Sequence, residues 1–272
     1  MRVAAIQMNS GADVAANLEL AARLLADAAA DGVQLAVLPE NFAIMGKHGR
    51  DKVAHAEQQG SGPIQAFLAQ MSRQHEMWVV AGSIPLASPE EQRVYGACPV
   101  YNASGDEIAC YRKIHLFDVK LPDLDESYLE SHSMYPGDDL VCVDSPIGRI
   151  GLAICYDVRF PELFRRLVDD GATVFTVPAA FTQVTGEAHW HTLLRARAIE
   201  NLAYVIAPGQ YGDHADERTT FGHSMIVDPW GRILAERPSG NGFAVAEIDA
   251  SLPEKLRAEF PALANRRLSK NG

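Results

Sequence analysis

Short apolar segments alternate with helical segments along most of the chain, and this alternation restricts the possible folds more than any other feature. Residues 2–8 are typical of a buried strand, and residues 13–30 place alanine and leucine at helical spacing until Gly32 ends the helix. Such alternation predicts an α/β fold with mixed sheets, built as two similar halves. Further strands are predicted at residues 33–38, 77–84, 94–102, 107–113, 141–143, 150–155, 173–177, 204–207, 222–227, 233–235 and 243–248, and further helices at 62–75, 162–170 and 187–201.

The composition indicates a single domain over residues 1–272. A chain of 272 residues is long enough for one large α/β domain or two modest ones, and a hydrophobic fraction of 47% supports a full core. No proline-, glycine- or serine-rich linker divides the chain, and its composition does not shift along its length. We therefore expect one domain.

Charge and cysteine content argue against several classes of partner. A net charge of −11 does not suit nucleic-acid binding, which needs a basic surface. No stretch approaches the ~18 consecutive apolar residues of a membrane span, and the first residues lack a signal-peptide pattern. Cys98, Cys110, Cys142 and Cys155 lack Cys-x-x-Cys spacing and are best interpreted as reduced thiols. These features predict a cytoplasmic protein that binds neither nucleic acid nor membrane.

Three predicted strands end in residues that can perform chemistry. Cys155 ends one strand shortly before Pro161 and Glu162, which are typical of the first turn of a helix. A thiol at such a corner lies near the positive end of the helix, so we expect a lowered pKa and a nucleophilic sulfur. Glu40 and Lys113 follow the ends of two other apolar strands.

Taken singly, each of these residues has an ordinary structural explanation. Cys155 could be a buried packing residue, Glu40 a solvated acid and Lys113 a surface cation. Reacting groups in open α/β sheets gather outside the carboxyl ends of strands, however, so the three together indicate one active site. In that site Glu40 acts as general base, Cys155 attacks a carbonyl carbon to form a thioester, and Lys113 stabilises the oxyanion beside a backbone N–H.

The chain order of these three residues resembles the catalytic triad of the nitrilase superfamily of carbon–nitrogen hydrolases. The resemblance rests on the local motifs Leu38-Pro-Glu-Asn-Phe42, Tyr111-Arg-Lys-Ile-His-Leu116 and Cys155-Tyr-Asp-Val-Arg-Phe-Pro-Glu-Leu163. It extends over nearly the whole chain. It implies a four-layer α-β-β-α sandwich with pseudo-twofold symmetry, a homo-oligomer built on a dimer, and no cofactor.

The family resemblance also implies a second glutamate that orients the catalytic groups. Glu130 matches its position better than Glu126 does. Within the superfamily, residues 178–182, 185–190, 193–200 and 221–231 are most similar to the Nit branch of amidases.

The Nit resemblance implies that the substrate is a small molecule, an amide of a 2-oxo acid. The motifs are closer to the deaminated glutathione amidases than to ω-amidases, which act on 2-oxoglutaramate or 2-oxosuccinamate, and both alternatives stay open. A third alternative is an interaction protein without catalytic activity. Residues 118–128 are acidic where the family has small and glycine-rich residues, which leaves the identity of the substrate open.

Several residues near the motifs are candidates for binding this substrate. Arg159 follows the nucleophile by four residues and is the preferred partner of a substrate carboxylate. Arg195 and Arg197 are better explained by ion pairs with acids such as Glu200 or Asp157. We expect Phe42, Tyr156 and Phe181 to wall the pocket, since each follows the end of a strand.

No metal site is predicted from the sequence. His189 and His191 are two residues apart, so they cannot share one face of a helix, and no set of cysteines or carboxylates has ligand spacing. Gly148 and Gly151 do not form the glycine pattern of a nucleotide-binding loop.

Overall fold

The computed structural model describes residues 1–120, 127–215 and 218–268. The strands are β1 (Arg2–Gln7), β2 (Leu35–Val37), β3 (Trp78–Val80), β4 (Ile84–Ala87), β5 (Val94–Tyr101), β6 (Glu107–Arg112), β7 (Asp118–Lys120), β8 (Ser127–Leu129), β9 (Cys142–Ser145), β10 (Gly148–Leu152), β11 (Val174–Thr176), β12 (Tyr204–Ala207), β13 (Tyr211–Asp213), β14 (Thr219–Phe221), β15 (Ser224–Val227), β16 (Ile233–Arg237) and β17 (Gly242–Glu247). The α-helices are α1 (Val14–Ala30), α2 (Gly49–Ala54), α3 (Pro63–His75), α4 (Pro161–Asp169), α5 (Gln183–Thr185), α6 (His191–Asn201) and α7 (Leu252–Glu259).

Two mixed sheets form the centre of the molecule. One has the strand order β17-β1-β2-β3-β5-β4, with β6 also pairing β5, and the other has the order β16-β15-β12-β11-β10-β9. The strands β1, β2 and β3 are parallel, as are β10, β11 and β12, and the outer strands run antiparallel to their neighbours. Each sheet therefore has three parallel strands at its centre, which agrees with the prediction of two similar halves.

The layers follow from the alternation of side chains along β1. Val3 and Ala5 belong to the apolar core that also contains Leu152 and Val205 of the second sheet, so this face of β1 looks toward that sheet. Ala4 and Ile6 belong to a second core, which includes residues of α1 and α3. The first core continues through the second sheet to α4 and α6. The result is an α-β-β-α sandwich.

Most predicted elements are confirmed, with ends that shift by a few residues. The predicted strand over residues 77–84 is in fact two strands, because Gly82 turns the chain with φ +66°. A Cβ at Gly82 would lie 2.1 Å from the carbonyl oxygen of Pro39, so only glycine fits there. This close approach packs the turn against the segment that carries Glu40.

Two helices escape prediction because they bury little. The helix α2 has no buried residue, and α7 buries only Pro253, so neither shows the apolar stripe on which the prediction relies. The predicted helix over residues 187–201 begins earlier, with α5 and a π-helical turn at Gly186–Trp190 before α6. Among the residues that the structure describes, no helix has the length and apolarity needed to cross a membrane.

Candidate active site

Three strand ends bring the predicted catalytic residues together. Glu40 lies beyond β2, Lys113 directly follows β6, and Cys155 lies beyond β10 in the second sheet. Since β2 and β6 run in the same direction within the first sheet, their carboxyl ends lie at the same edge. The facing sheets hold the thiol opposite the carboxylate and the ammonium.

Cys155 has an unusual backbone conformation. Its φ is +48°, in the left-handed region that residues other than glycine rarely adopt. Its backbone N–H donates to the carbonyl of Pro178 over 2.8 Å, and its side chain is buried in a 3₁₀ turn, Cys155–Arg159. Surrounding contacts must hold such a conformation, and such strain is found preferentially at functional sites.

Asp157 supplies much of that support. Its buried carboxylate accepts hydrogen bonds from the Tyr111 hydroxyl (2.8 Å), the Ile154 backbone N–H (2.8 Å) and the His115 backbone N–H (3.2 Å). The Nδ1 atom of His115 lies a further 2.7 Å from the same carboxylate. These contacts tie the nucleophile turn to the segment that follows β6 and carries Lys113.

Lys113 joins two carboxylates. Its Nζ atom lies 2.7 Å from Oε1 of Glu40 and 2.9 Å from each carboxylate oxygen of Glu130. The second oxygen of Glu40 accepts the backbone N–H of Ala180 over 2.8 Å, and Glu130 accepts that of Phe117 over 2.6 Å. All three N–H donors of the ammonium are engaged, so bonding an oxyanion requires Lys113 to give up one carboxylate contact.

The electrostatics contradict the expected low pKa of the nucleophile. Burial raises the pKa of the Cys155 thiol well above its ordinary value, and the nearby Glu40 carboxylate raises it further, against the opposing effect of Lys113. Burial would also raise the pKa of Glu40, yet that pKa is lowered because the Lys113 ammonium stabilises the carboxylate. The resting pair is therefore a neutral thiol beside an ionised glutamate.

The triad lies in the wall of a cavity of about 260 Å³. The cavity walls include cationic side chains beyond Lys113, namely Lys47, Lys52 and Arg218. Glu40 and Glu130 are the carboxylates among the described lining residues, so the lining carries more positive than negative charge. This local surplus contrasts with the net charge of −11 of the whole chain.

The ammonium of Lys52 is not paired with any acid among the described residues. It lies on α2, is half-buried, and makes no hydrogen bond or ion pair within the described part of the chain. Burial lowers its pKa, and the carboxylates of Glu130 and Glu40 partly offset that effect. Sequence reasoning missed Lys52 because α2 itself was not predicted, and Arg218 because no motif surrounds it.

The predicted binding residues are distributed unevenly. Tyr156 and Phe181 line the cavity. Phe42 does not, because its ring is fully buried in the core that includes α1 and α3. Arg159 does not line it either, although its guanidinium lies 5.1 Å from the ring centre of Phe181 and 5.9 Å from that of Tyr156. Glu126, the alternative to Glu130, lies outside the described residues.

Of two further arginines, Arg197 makes the ion pair expected of it, whereas Arg195 bonds a backbone carbonyl instead of an acid. Arg197 is buried, and it donates to the carbonyl of Val158 and pairs with Glu200 over 2.7 Å. Arg195 donates to the carbonyl of Gly231 over 2.8 Å. Neither lines the catalytic cavity as far as the structure describes it.

Comparison with known proteins agrees with this geometry. The profile of the carbon-nitrogen hydrolase family matches residues 2–258. The chain belongs to the carbon–nitrogen hydrolase family. A relative of this hydrolase, the deaminated glutathione amidase of Synechocystis sp. (strain PCC 6803 / GT-S), is 42% identical over 266 residues, which cover 97% of each chain.

Solved structures show the same architecture. The C. elegans NitFhit protein superposes with a TM-score of 0.91 at 36% identity, over 98% of this hydrolase and 65% of the longer NitFhit chain. Saccharomyces cerevisiae Nit3, a member of branch 10 of the nitrilase superfamily, superposes with a TM-score of 0.88 at 31% identity, over 98% and 97% of the two chains. This carbon–nitrogen hydrolase thus has the nitrilase fold and acts on carbon–nitrogen bonds other than peptide bonds.

Proposed function

We propose that the chain is an amidase that hydrolyses an anionic amide of a 2-oxo acid through a cysteine acyl-enzyme, with deaminated glutathione as the substrate. One observation carries the proposal. A buried neutral thiol beside an ionised glutamate lies in the wall of a cavity whose lining has a surplus of positive charge. The deaminated glutathione amidase relatives supply the choice among acidic amides.

The first half of the reaction forms the thioester. Glu40 takes the proton of the Cys155 thiol as sulfur attacks the amide carbon, so a thiolate forms only when the substrate is in place. The carbonyl oxygen becomes an oxyanion, and Lys113 stabilises it by moving one N–H donor away from Glu130. Glu40 then returns the proton to the amine nitrogen, the carbon–nitrogen bond breaks, and the amine leaves.

The second half reverses these roles. Glu40 takes a proton from water, and the resulting nucleophile attacks the thioester carbon. The carbon–sulfur bond breaks, the acid is released, and the proton returns to Cys155. Glu130 is a positioning residue, because it holds Lys113 with two contacts of 2.9 Å. No step requires a cofactor.

The substrate carboxylates bind the cations that line the cavity. We assign this role to Lys52 and Arg218 in place of Arg159, because both line the cavity and Arg159 is not among the described lining residues. The ammonium of Lys52, unpaired among the described residues, gains a partner when an anion enters. A charge-assisted contact of this kind contributes roughly 1.5–3 kcal/mol.

The test compares substrates across two variants. We expect Lys52→Met to raise KM about tenfold or more for deaminated glutathione and to affect a neutral amide of similar size much less. Arg159→Met is the matched control, for which we expect both substrates to change alike because Arg159 supports the aromatic wall. Equal losses for both substrates in Lys52→Met would overturn the assignment of Lys52 as the anchor.

Substrate identity has its own measurement. We expect a higher kcat/KM for deaminated glutathione than for 2-oxoglutaramate, and the reverse order would identify an ω-amidase. Absence of turnover for every amide tested would favour the catalytically inactive alternative. We also propose that the enzyme is cytoplasmic and assembles as a homo-oligomer built on a dimer.

A further inference from the structure

Two histidines and a glutamate from separate parts of the chain meet away from the catalytic triad. His191 begins α6, His223 precedes β15, and Glu236 lies on β16. The Oε1 atom of Glu236 lies 2.8 Å from Nε2 of His191 and 2.5 Å from Nδ1 of His223. The ligand-capable atoms of the three residues all lie within 4.8 Å of one another.

His223 is held in this position by several contacts. Its φ is +51°, in the left-handed region. Its backbone carbonyl accepts the indole N–H of Trp190 over 3.0 Å, and its ring stacks on that of Phe221 with 4.1 Å between centres. The surroundings therefore maintain a strained backbone conformation that directs the imidazole at Glu236.

The charge balance leaves room for a cation. Within the described residues the basic side chains that lie within 4 Å of the Glu236 carboxylate are those of His191 and His223. The guanidinium of the adjacent Arg237 donates instead to the carbonyls of Gly240 and Asn241. Two imidazole N–H groups donate to one carboxylate oxygen, so protons occupy the space between three atoms that could each bind a metal.

We propose that His191, His223 and Glu236 form a zinc-binding site. Two imidazole nitrogens and one carboxylate oxygen suit Zn²⁺, whereas Mg²⁺ and Ca²⁺ prefer oxygen ligands alone. Bonds of about 2.0–2.1 Å place tetrahedral ligands roughly 3.3 Å apart, so the Glu236 oxygen, now 2.8 Å from His191 and 2.5 Å from His223, needs to move roughly 0.5–0.8 Å away from the two nitrogens. The side chains are 35%, 27% and 26% exposed, which leaves a fourth position for water.

The proposed zinc site links α6 and β16 near residues that pack against the cavity lining. His191 follows Trp190, whose ring lies 4.9 Å from that of Phe181 in the cavity lining. Zinc would connect the start of α6 to β16 and so hold Trp190 in place against Phe181. The pair of His189 and His191 is not the site, because His189 lies instead 3.3 Å from Arg159.

Zinc binding must compete with protons. Each imidazole presents an N–H to Glu236 in the metal-free protein, and a metal ligand needs a lone pair on that nitrogen. Each ring must lose that proton or move it to its other nitrogen.

Calorimetric titration with Zn²⁺ tests the site in a Cys155→Ala background, which removes the catalytic thiol as a competing ligand. We expect one Zn²⁺ per chain, and at least tenfold weaker binding when His191→Ala or His223→Asn is added; asparagine tolerates the left-handed backbone. Adding His189→Ala is the matched control and should leave binding unchanged. Zinc should also raise the melting temperature of the background protein but not of the His191→Ala protein.

Several outcomes would overturn the proposal. It fails if the Cys155→Ala protein binds no zinc, or if both histidine variants bind it as tightly as that background. It also fails if His189→Ala weakens binding as much as His191→Ala does. Circular dichroism of each variant shows whether a loss of binding reflects the ligand or the fold, and His191→Ala decides the matter if His223→Asn does not fold.

Discussion

At the scale of single residues, the nucleophile of the resting protein is a protonated thiol and not a thiolate. Burial and the facing Glu40 carboxylate raise the pKa of Cys155. The Lys113 ammonium is hydrogen-bonded to Glu40 and Glu130. A thiolate formed by loss of the proton to solvent would place an extra anion in a buried site that already holds two carboxylates. The proton therefore leaves sulfur only during attack.

Because its pKa is raised, Cys155 should not form a detectable thiolate near neutral pH. We predict that the absorbance at 240 nm of wild type minus Cys155→Ala shows no thiolate below about pH 9. The other cysteines do not interfere, because burial raises the pKa of Cys110 and of Cys142 to about 12 and that of Cys98 further. A difference signal that titrates at pH 5–7 would show an ion-paired thiolate and contradict this description.

The sequence predicts which residues form the site, but the lowered pKa that it predicts for Cys155 is wrong. Chain order and motifs indicate Glu40, Lys113 and Cys155, because each stands at the end of a recognisable apolar strand. The pKa of Cys155 depends on burial and on a carboxylate that is 115 residues away in the chain, and neither is visible locally. The same reason explains why Phe42, which also follows a strand, faces the core and not the cavity.

At the scale of elements, β6 delivers a cation that two carboxylates require. Lys113 is 2% exposed, and its partners Glu40 and Glu130 are 6% and 15% exposed. The carboxylates of Glu130 and Glu40 hold the pKa of Lys113 well above its ordinary value, even though burial opposes this. Removing one member of such a cluster leaves an uncompensated buried charge.

Lys113→Ala should therefore lose both activity and stability. We predict a fall in kcat on the order of 10²-fold or more, and a loss of about 3–5 kcal/mol in the free energy of unfolding at pH 8. Without Lys113, burial raises the pKa of Glu40 above its unfolded value, so the stability deficit grows as pH rises through that pKa and shrinks at pH 5. Urea unfolding at both pH values measures it, and an equal deficit at pH 5 and pH 8 would contradict the account.

Elements that lack an apolar stripe are where sequence interpretation failed. The strands β2, β6 and β10 were found because they are apolar and short, whereas α2 has no buried residue. That helix nevertheless carries Lys52, the cation that we assign to the substrate carboxylate. Because the helix is not predicted from the sequence, neither is this role of Lys52. Closeness to Cys155 in sequence favours Arg159, yet Arg159 packs near Phe181 and Tyr156 without lining the cavity.

At the scale of the whole molecule, an apolar patch remains on the outside of the sandwich. Ile199 on α6, Trp230 and Phe260 are 47%, 50% and 53% exposed. The rings of Trp230 and Phe260 meet edge to face with 5.7 Å between their centres, and Ile199 packs beside Gly231. Exposed apolar residues that cluster in this way mark contact surfaces, so we propose that this patch joins the subunits of the oligomer.

Ile199→Glu should therefore weaken the proposed oligomer. We predict that wild type sediments as a dimer or larger species at micromolar concentration and that Ile199→Glu shifts the distribution toward monomer. Ile108→Glu is the matched control, since Ile108 is also exposed but lies on β6 and outside this patch. A monomeric wild type would refute the oligomer, and an equal shift in both variants would refute the role of the patch.

Cys155 should carry the acyl group between the two half-reactions. Wild-type enzyme mixed with deaminated glutathione, quenched in acid within milliseconds and analysed by intact-protein and peptide mass spectrometry tests it directly. We predict an acyl thioester on the peptide that contains Cys155, which decays as product forms and is absent from Cys155→Ala, a variant without turnover. Sustained hydrolysis with no adduct on Cys155, or turnover by Cys155→Ala, would contradict the account.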